Sequence, residues 1–83
     1  MYEIIVSPEA RKELKKISKL FKQAIRIAIN DISENPYIGK PLNRDLLKRY
    51  SYRIGVYRIV YKINEKEKKV NIFSAGHRST VYN

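Results

Sequence analysis

The hydrophobic and polar positions of this chain change period along its length, and each period predicts a different element. Residues 2–6, YEIIV, have the β-branched content of a first strand. Ser7-Pro8-Glu9 follows, giving a capping hydroxyl, a proline suited to the first helical position and an acid in the first turn. Ala10, Leu14, Ile17 and Phe21 then recur at spacings of 4, 3 and 4, one apolar stripe with Lys12, Lys15, Lys16 and Lys19 on the wet side. Ser18 offers a second cap, which predicts a break there. Beyond it Ala24, Ile25, Ala28, Ile29 and Ile32 form the apolar face of a second helix. Asn35-Pro36 ends that helix, because a residue before proline is pushed out of the α region.

Residues 36–49, PYIGKPLNRDLLKR, read as a surface loop with room for one helical turn. The period then falls to two, over 50–54, 56–63 and 69–75, with Asn64-Glu65-Lys66-Glu67 as the turn between the last two. Gly76 is expected to end the third of these strands. The order is β-α-α-β-β-β in one domain, 1–83, of α+β class. Consecutive strands with short turns predict an antiparallel sheet carrying a helical hairpin on one face.

The hairpin YSYRIGVYRIVY, residues 50–61, fixes its own register. A turn centred on Gly55-Val56 sets Ile54 opposite Tyr57, Tyr52 opposite Ile59 and Tyr50 opposite Tyr61, and glycine at the first central position suits a type II′ turn. That makes one face wholly apolar. It also sets Arg53 opposite Arg58 on the other face, where paired Cβ atoms are about 5 Å apart and like charges destabilise. Repulsion at that separation is on the order of 1–3 kcal/mol between dielectric limits of about 80 and 20. Two readings stay open: the guanidinium groups splay into water, or they flank a carboxylate or phosphate that turns repulsion into charge-assisted hydrogen bonds.

Charge bears on that choice. The chain carries 18 basic and 8 acidic residues, net +10. Residues 1–34 hold only +2 of it and residues 35–83 hold +8, a one-sided field that attracts a polyanion such as nucleic acid. There is no cysteine, one histidine and eight scattered carboxylates, which argues against a disulfide framework and against a zinc or calcium cage, so no metal and no cofactor is expected. No apolar run approaches the roughly 20 residues that span a bilayer, so a cytoplasmic, soluble protein is expected. The tail adds Gly76-His77-Arg78 and Tyr82. With the two arginines these are ingredients for metal-free RNA cleavage, in which cations stabilise the phosphorane and RNA supplies its own 2′-hydroxyl nucleophile.

Three stretches, NPYIGKPL (35–42), YSYRIGVYRIVYKI (50–63) and GHRSTVY (76–82), together resemble the RelE/ParE superfamily of toxin–antitoxin toxins, on the RelE side. The element order and length fit as well. The resemblance implies a ribosome-dependent endoribonuclease that cuts mRNA in the decoding site without a metal or other cofactor. It implies a small RelB-like antitoxin with acidic and amphipathic segments as partner, a toxin–antitoxin hetero-oligomer, and no membrane association. Carried over by motif, Arg58 contacts the scissile phosphate, Arg53 takes one of two basic positions on the preceding strand, and Arg78 is the tail arginine. Tyr82 is the tail tyrosine that stacks on a base and takes the 2′-hydroxyl proton. A guanidinium is a poor proton donor, so Arg58 and Arg78 read as electrostatic stabilisers. Histidine as a residue type is suited to proton transfer at neutral pH, so His77 is a second acid–base candidate or else a support for the turn after Gly76. Lys40, Arg44, Lys48, Arg49 and Lys62 are expected to bind RNA or the ribosome.

Three positions depart from the family pattern. Ser51 stands where the second basic residue of the strand is expected, with Lys48 or Arg49 as possible replacements. The spacing from Arg78 to Tyr82 is short, and Val56 replaces the usual acid after the turn glycine. Two other functions remain open on the same residues: a ParE-like inhibitor of DNA gyrase without nuclease chemistry, and a non-catalytic RNA- or ribosome-binding module.

Overall fold

The computed structural model describes residues 1–42 and 49–77. Strand β1 (Glu3–Val6) leads into helices α1 (Pro8–Lys15) and α2 (Lys19–Glu34), followed by β2 (Lys40–Pro41), β3 (Arg49–Ile54), β4 (Tyr57–Asn64) and β5 (Lys69–His77). The five strands form one sheet in the order β1-β5-β4-β3-β2.

The helical hairpin starts and breaks where its caps stand. The Ser7 hydroxyl accepts the Ala10 N–H at 3.0 Å, satisfying one of the free donors of the first turn, and Pro8 occupies a position that needs no donor. Ser18 is extended (φ −61°, ψ 154°), and its carbonyl accepts from the Phe21 and Lys22 N–H groups, starting α2 afresh. Phe21 continues the stripe of the first helix in sequence but sits in α2, where its ring packs 4.8 Å from that of Tyr57. Asn35 is extended before Pro36, and its side-chain carbonyl accepts the Tyr37 N–H at 3.2 Å, opening one 3-10 turn over Pro36–Ile38.

The hairpin register is the one its alternation demands. Ile54 pairs with Tyr57, Tyr52 with Ile59, Tyr50 with Tyr61 and Arg53 with Arg58. Gly55 has φ +57° while Val56 stays at negative φ, the pattern of a II′ turn. The apolar face this creates packs on the helices: Ile59, Tyr61, Val70, Ile72 and Ala75 bury against Ala10, Ile17, Ile25, Ala28 and Ile32. Burial of that order, at about 25 cal/mol per Å² of apolar surface, is what holds two short helices to the sheet.

Three features differ from the sequence pattern. First, β1 pairs with β5 in parallel, Glu3 with Lys69 through Val6 with Ile72, so the sheet is antiparallel only from β5 to β2. The short-turn argument governs consecutive strands, and β1 and β5 lie at opposite ends of the chain. Second, Gly76 does not end β5. It remains in the ladder opposite Arg58, because pairing uses only backbone groups. Third, a bulge falls where Tyr61 pairs with Ile72 but Val60 with Ser74, leaving Phe73 as the extra residue. Beyond the end of β1, the Glu13 carboxylate of α1 accepts the Ala75 N–H at 3.3 Å and the Ser74 hydroxyl at 3.2 Å, so the helix covers the edge that β1 leaves open. Among the described residues no helix is long and apolar enough to cross a membrane.

Candidate functional site

The site is assembled by the loop between α2 and β3, and one tyrosine holds that loop in place. Tyr61, fully buried on β4, donates its hydroxyl to the Pro36 carbonyl at 2.5 Å and accepts the Gly39 N–H at 3.1 Å. Burial pushes this phenol up to about 12, with the Gly39 N–H pulling the other way. Gly39 is required by the close approach: a Cβ there would lie 2.2 Å from the Tyr61 hydroxyl oxygen. Tyr50 stacks on Tyr61 with centroids 5.7 Å apart, and Tyr37 meets Tyr50 edge-on at 6.0 Å. The Tyr37 hydroxyl donates to Glu65, and that bond raises its pKa. The clamp delivers Lys40 and Pro41 as β2 at the edge of β3, with Lys40 directly opposite Ser51.

On the sheet face away from the helices a cleft of about 540 Å³ results, lined by Lys40, Ser51, Arg53 and Arg58 with Ile38 and Leu42 beside them. The cations differ in setting. Arg53 is exposed, whereas Arg58, in the central strand, is only 3% exposed. Gly76 stands opposite Arg58 on its other flank and contributes no side chain to the row. Three cations, Lys40, Arg53 and the nearly buried Arg58, line one cleft, an arrangement chemically able to stabilise negative charge on a phosphate.

The remaining sequence candidates divide between other places. Arg49 and Lys62 pair with each other on the same sheet face, two rows along from the Arg53–Arg58 pair. His77 takes the register position opposite Tyr57, next to the Arg58–Gly76 pair, so it belongs to the strand rather than to a turn. Its side chain, together with Arg44, Lys48, Arg78 and Tyr82, lies outside the described residues. Sequence reasoning placed Lys40 among RNA-binding residues but not in the cleft with the arginines. A two-residue strand containing proline has no periodic signal, and only the Tyr61 clamp explains why it pairs. The Glu13 contact to β5 was likewise invisible, since a lone acid on a helix reads as a solvated side chain.

The comparisons agree with this architecture. The family model described as the ParE toxin of type II toxin–antitoxin system, parDE, matches residues 4–82. Toxin RelG of Mycobacterium tuberculosis is 32% identical over 98% of this chain and 95% of its own length. The crystal structure of the RelBE2 toxin–antitoxin complex from M. tuberculosis superposes with a TM-score of 0.81 at 34% identity, covering 93% of this chain and 98% of that one. The isolated E. coli RelE toxin shares the fold with a TM-score of 0.82 at 24% identity, over 99% of this chain and 92% of that one. With the motifs, the sheet and nearly the full length in agreement, the chain belongs to the RelE/ParE superfamily and is the toxin of a toxin–antitoxin system.

Proposed function

We propose that this toxin is a ribosome-dependent, metal-independent endoribonuclease that cuts mRNA in the decoding site. The observation that carries the reading is the cleft in which Arg58, nearly buried, faces Arg53 across the hairpin with Lys40 on the adjoining strand. In the reaction the mRNA 2′-hydroxyl gives up its proton as its oxygen attacks the adjacent phosphorus, the bond from phosphorus to the 5′-oxygen breaks, and the departing oxygen takes up a proton, leaving a 2′,3′-cyclic phosphate and a 5′-hydroxyl. Negative charge on the equatorial oxygens peaks at the phosphorane, and Arg58 with Arg53 supplies the cations that stabilise it. By resemblance Arg78 adds a further cation and Tyr82 takes the 2′-hydroxyl proton, with His77 as the second acid–base candidate. The ribosome supplies the in-line geometry that a shallow cleft on an 83-residue domain does not impose by itself. The partner is a RelB-like antitoxin in a hetero-oligomer, as in the M. tuberculosis RelBE2 complex, and the site of action is the cytoplasm, where ribosomes are.

The alternative is inhibition of DNA gyrase, favoured by one observation: the matching family model is that of ParE toxins. A stalled translation reaction separates the two. The expected result is mRNA cut inside the decoding site with a 2′,3′-cyclic phosphate end, and a loss of about 10²–10³-fold in Arg58→Ala, the range for removal of a charge-stabilising donor. Intact mRNA together with impaired gyrase supercoiling would establish the other reading.

A further inference from the structure

We infer that Phe73 is the platform of a second subsite, on which a base of the substrate mRNA strand stacks a few nucleotides from the cut. This inference rests on the endoribonuclease reading for the identity of the strand. Its geometry stands on different residues.

Phe73 is 40% exposed on the sheet, and what sets it apart from other exposed apolar side chains is its surroundings. Its neighbour Ile72 is completely buried on the core face, whereas Phe73 lines a depression with Lys62 and Asn71, whose ladder row lies on the sheet face that carries Arg58. Lys66 borders this second depression as well, alongside Asn64 and Glu65. Lys62 pairs with Asn71 on one flank and with Arg49 on the other, so a row of Arg49, Lys62 and Asn71 crosses the sheet beside the ring. Glu65, the acid of the depression, is engaged by the Tyr37 hydroxyl, and basic groups outnumber it. An exposed aromatic face flanked by cations and an amide matches single-stranded RNA: the base stacks, the phosphates meet the cations, and the amide reads a base edge.

Two further observations separate this from an accidental surface phenylalanine. Phe73 is the extra residue of the β4–β5 bulge, the kind of device that re-aims a side chain. The bulge is also held from behind: the Ser7 hydroxyl donates to the Phe73 carbonyl at 3.2 Å, and the Ser7 N–H donates to the Ile72 carbonyl at 3.0 Å. The ring is therefore mounted on a fixed backbone, which lowers the entropy lost on binding. Lys62 lies four residues from Arg58 on β4, about 13 Å at ~3.3 Å per residue, within reach of one strand passing over both.

The chain has no tryptophan, so Phe73→Trp places a single reporter in the subsite. Titration of that variant with a single-stranded hexanucleotide is expected to quench its fluorescence, and to reach the same final quench in an Arg58→Ala background at higher RNA concentration. A duplex of the same sequence is expected to quench far less. Phe73→Ala is expected to weaken hexanucleotide binding by about 5- to 150-fold, the range for loss of one stacked base. Lys62→Gln is expected to lower the salt slope by about one phosphate contact. On programmed ribosomes, an mRNA carrying an abasic nucleotide at successive positions beside the cut is expected to lose wild-type efficiency at one position only, where Phe73→Ala makes no further difference. Absence of quenching while labelled RNA binds would overturn the subsite. Quenching with an abasic scan that is flat would overturn the assignment to mRNA, and place ribosomal RNA on the ring. Quenching is read without any cleavage, so failure of the nuclease reading leaves the first arm intact.

Discussion

Replacing Arg53 by glutamine is expected to make the fold more stable and the toxin weaker. Arg53 and Arg58 are direct partners in the β3–β4 ladder, with Cβ atoms about 5 Å apart. Coulomb's law gives about 0.8 kcal/mol at the dielectric constant of water and about 3 kcal/mol at an effective value of 20. Arg53 is solvated while Arg58 is not, so the relief belongs near the lower end, about 1 kcal/mol. For a domain of this size that is a rise of about 4–8 °C in Tm. The assay is thermal unfolding followed by circular dichroism in phosphate-free buffer at low salt, repeated near 1 M salt, where a screening length of about 3 Å erases most of the difference. Added phosphate should stabilise the wild type more than Arg53→Gln, since stabilisation by a ligand grows with the logarithm of its affinity for the folded state. In the translation assay the same variant should cut about a hundredfold more slowly. A variant that melts at or below the wild type without phosphate, or that cuts at full rate, would refute the reading of this pair as a repulsion kept for an anion.

Three further expectations concern the clamp that builds the cleft. Tyr61→Phe removes the donor to Pro36 and the acceptor for Gly39, both buried, and should destabilise by about 2–4 kcal/mol in urea unfolding. The wild type should also lose stability as pH rises from about 10 to about 12: the folded phenol holds its proton more tightly than the unfolded one, so its contribution is complete below the unfolded pKa and gone above the folded one. Tyr61→Phe should lack this alkaline component, and an identical alkaline profile in the two proteins would contradict the assignment. Gly39→Ala forces a Cβ against the Tyr61 hydroxyl and should cost about 1–3 kcal/mol, less in a Tyr61→Phe background, with the coupling measured by a double-mutant cycle.

The parts legible in the sequence are those set by local periodicity or by a single backbone constraint. Ser7-Pro8, Ser18 and Asn35-Pro36 bounded the helices because capping and proline sterics act within a few residues. The Arg53–Arg58 pair was readable because strand alternation and a two-residue turn leave one register that buries the tyrosines and isoleucines together. What was not readable depends on contacts between distant segments. The parallel pairing of β1 with β5 joins residues more than sixty positions apart, and Gly76 stays in the strand because Arg58 and its neighbours pair with it. The Phe73 bulge needs Ser7 behind it, and no window of sequence contains both.

Ser51 shows how such a long-range contact changes a chemical conclusion. In the sequence it stands where a second basic residue is expected on its strand, which reads as a missing cation. In the sheet, Ser51 is buried and paired with Lys40 of β2, and both line the cleft with Arg53 and Arg58. The third cation of the cleft therefore comes from the edge strand. A lysine at position 51 would compete with Lys40 for the same volume, whereas a small hydroxyl leaves it open. That arrangement makes the charge of the site depend on the loop being clamped, since Lys40 follows directly on Gly39, whose N–H is held by Tyr61. Loss of the Tyr61 hydroxyl should consequently remove a cation from the cleft as well as stability from the core. The fold and the site share that one bond.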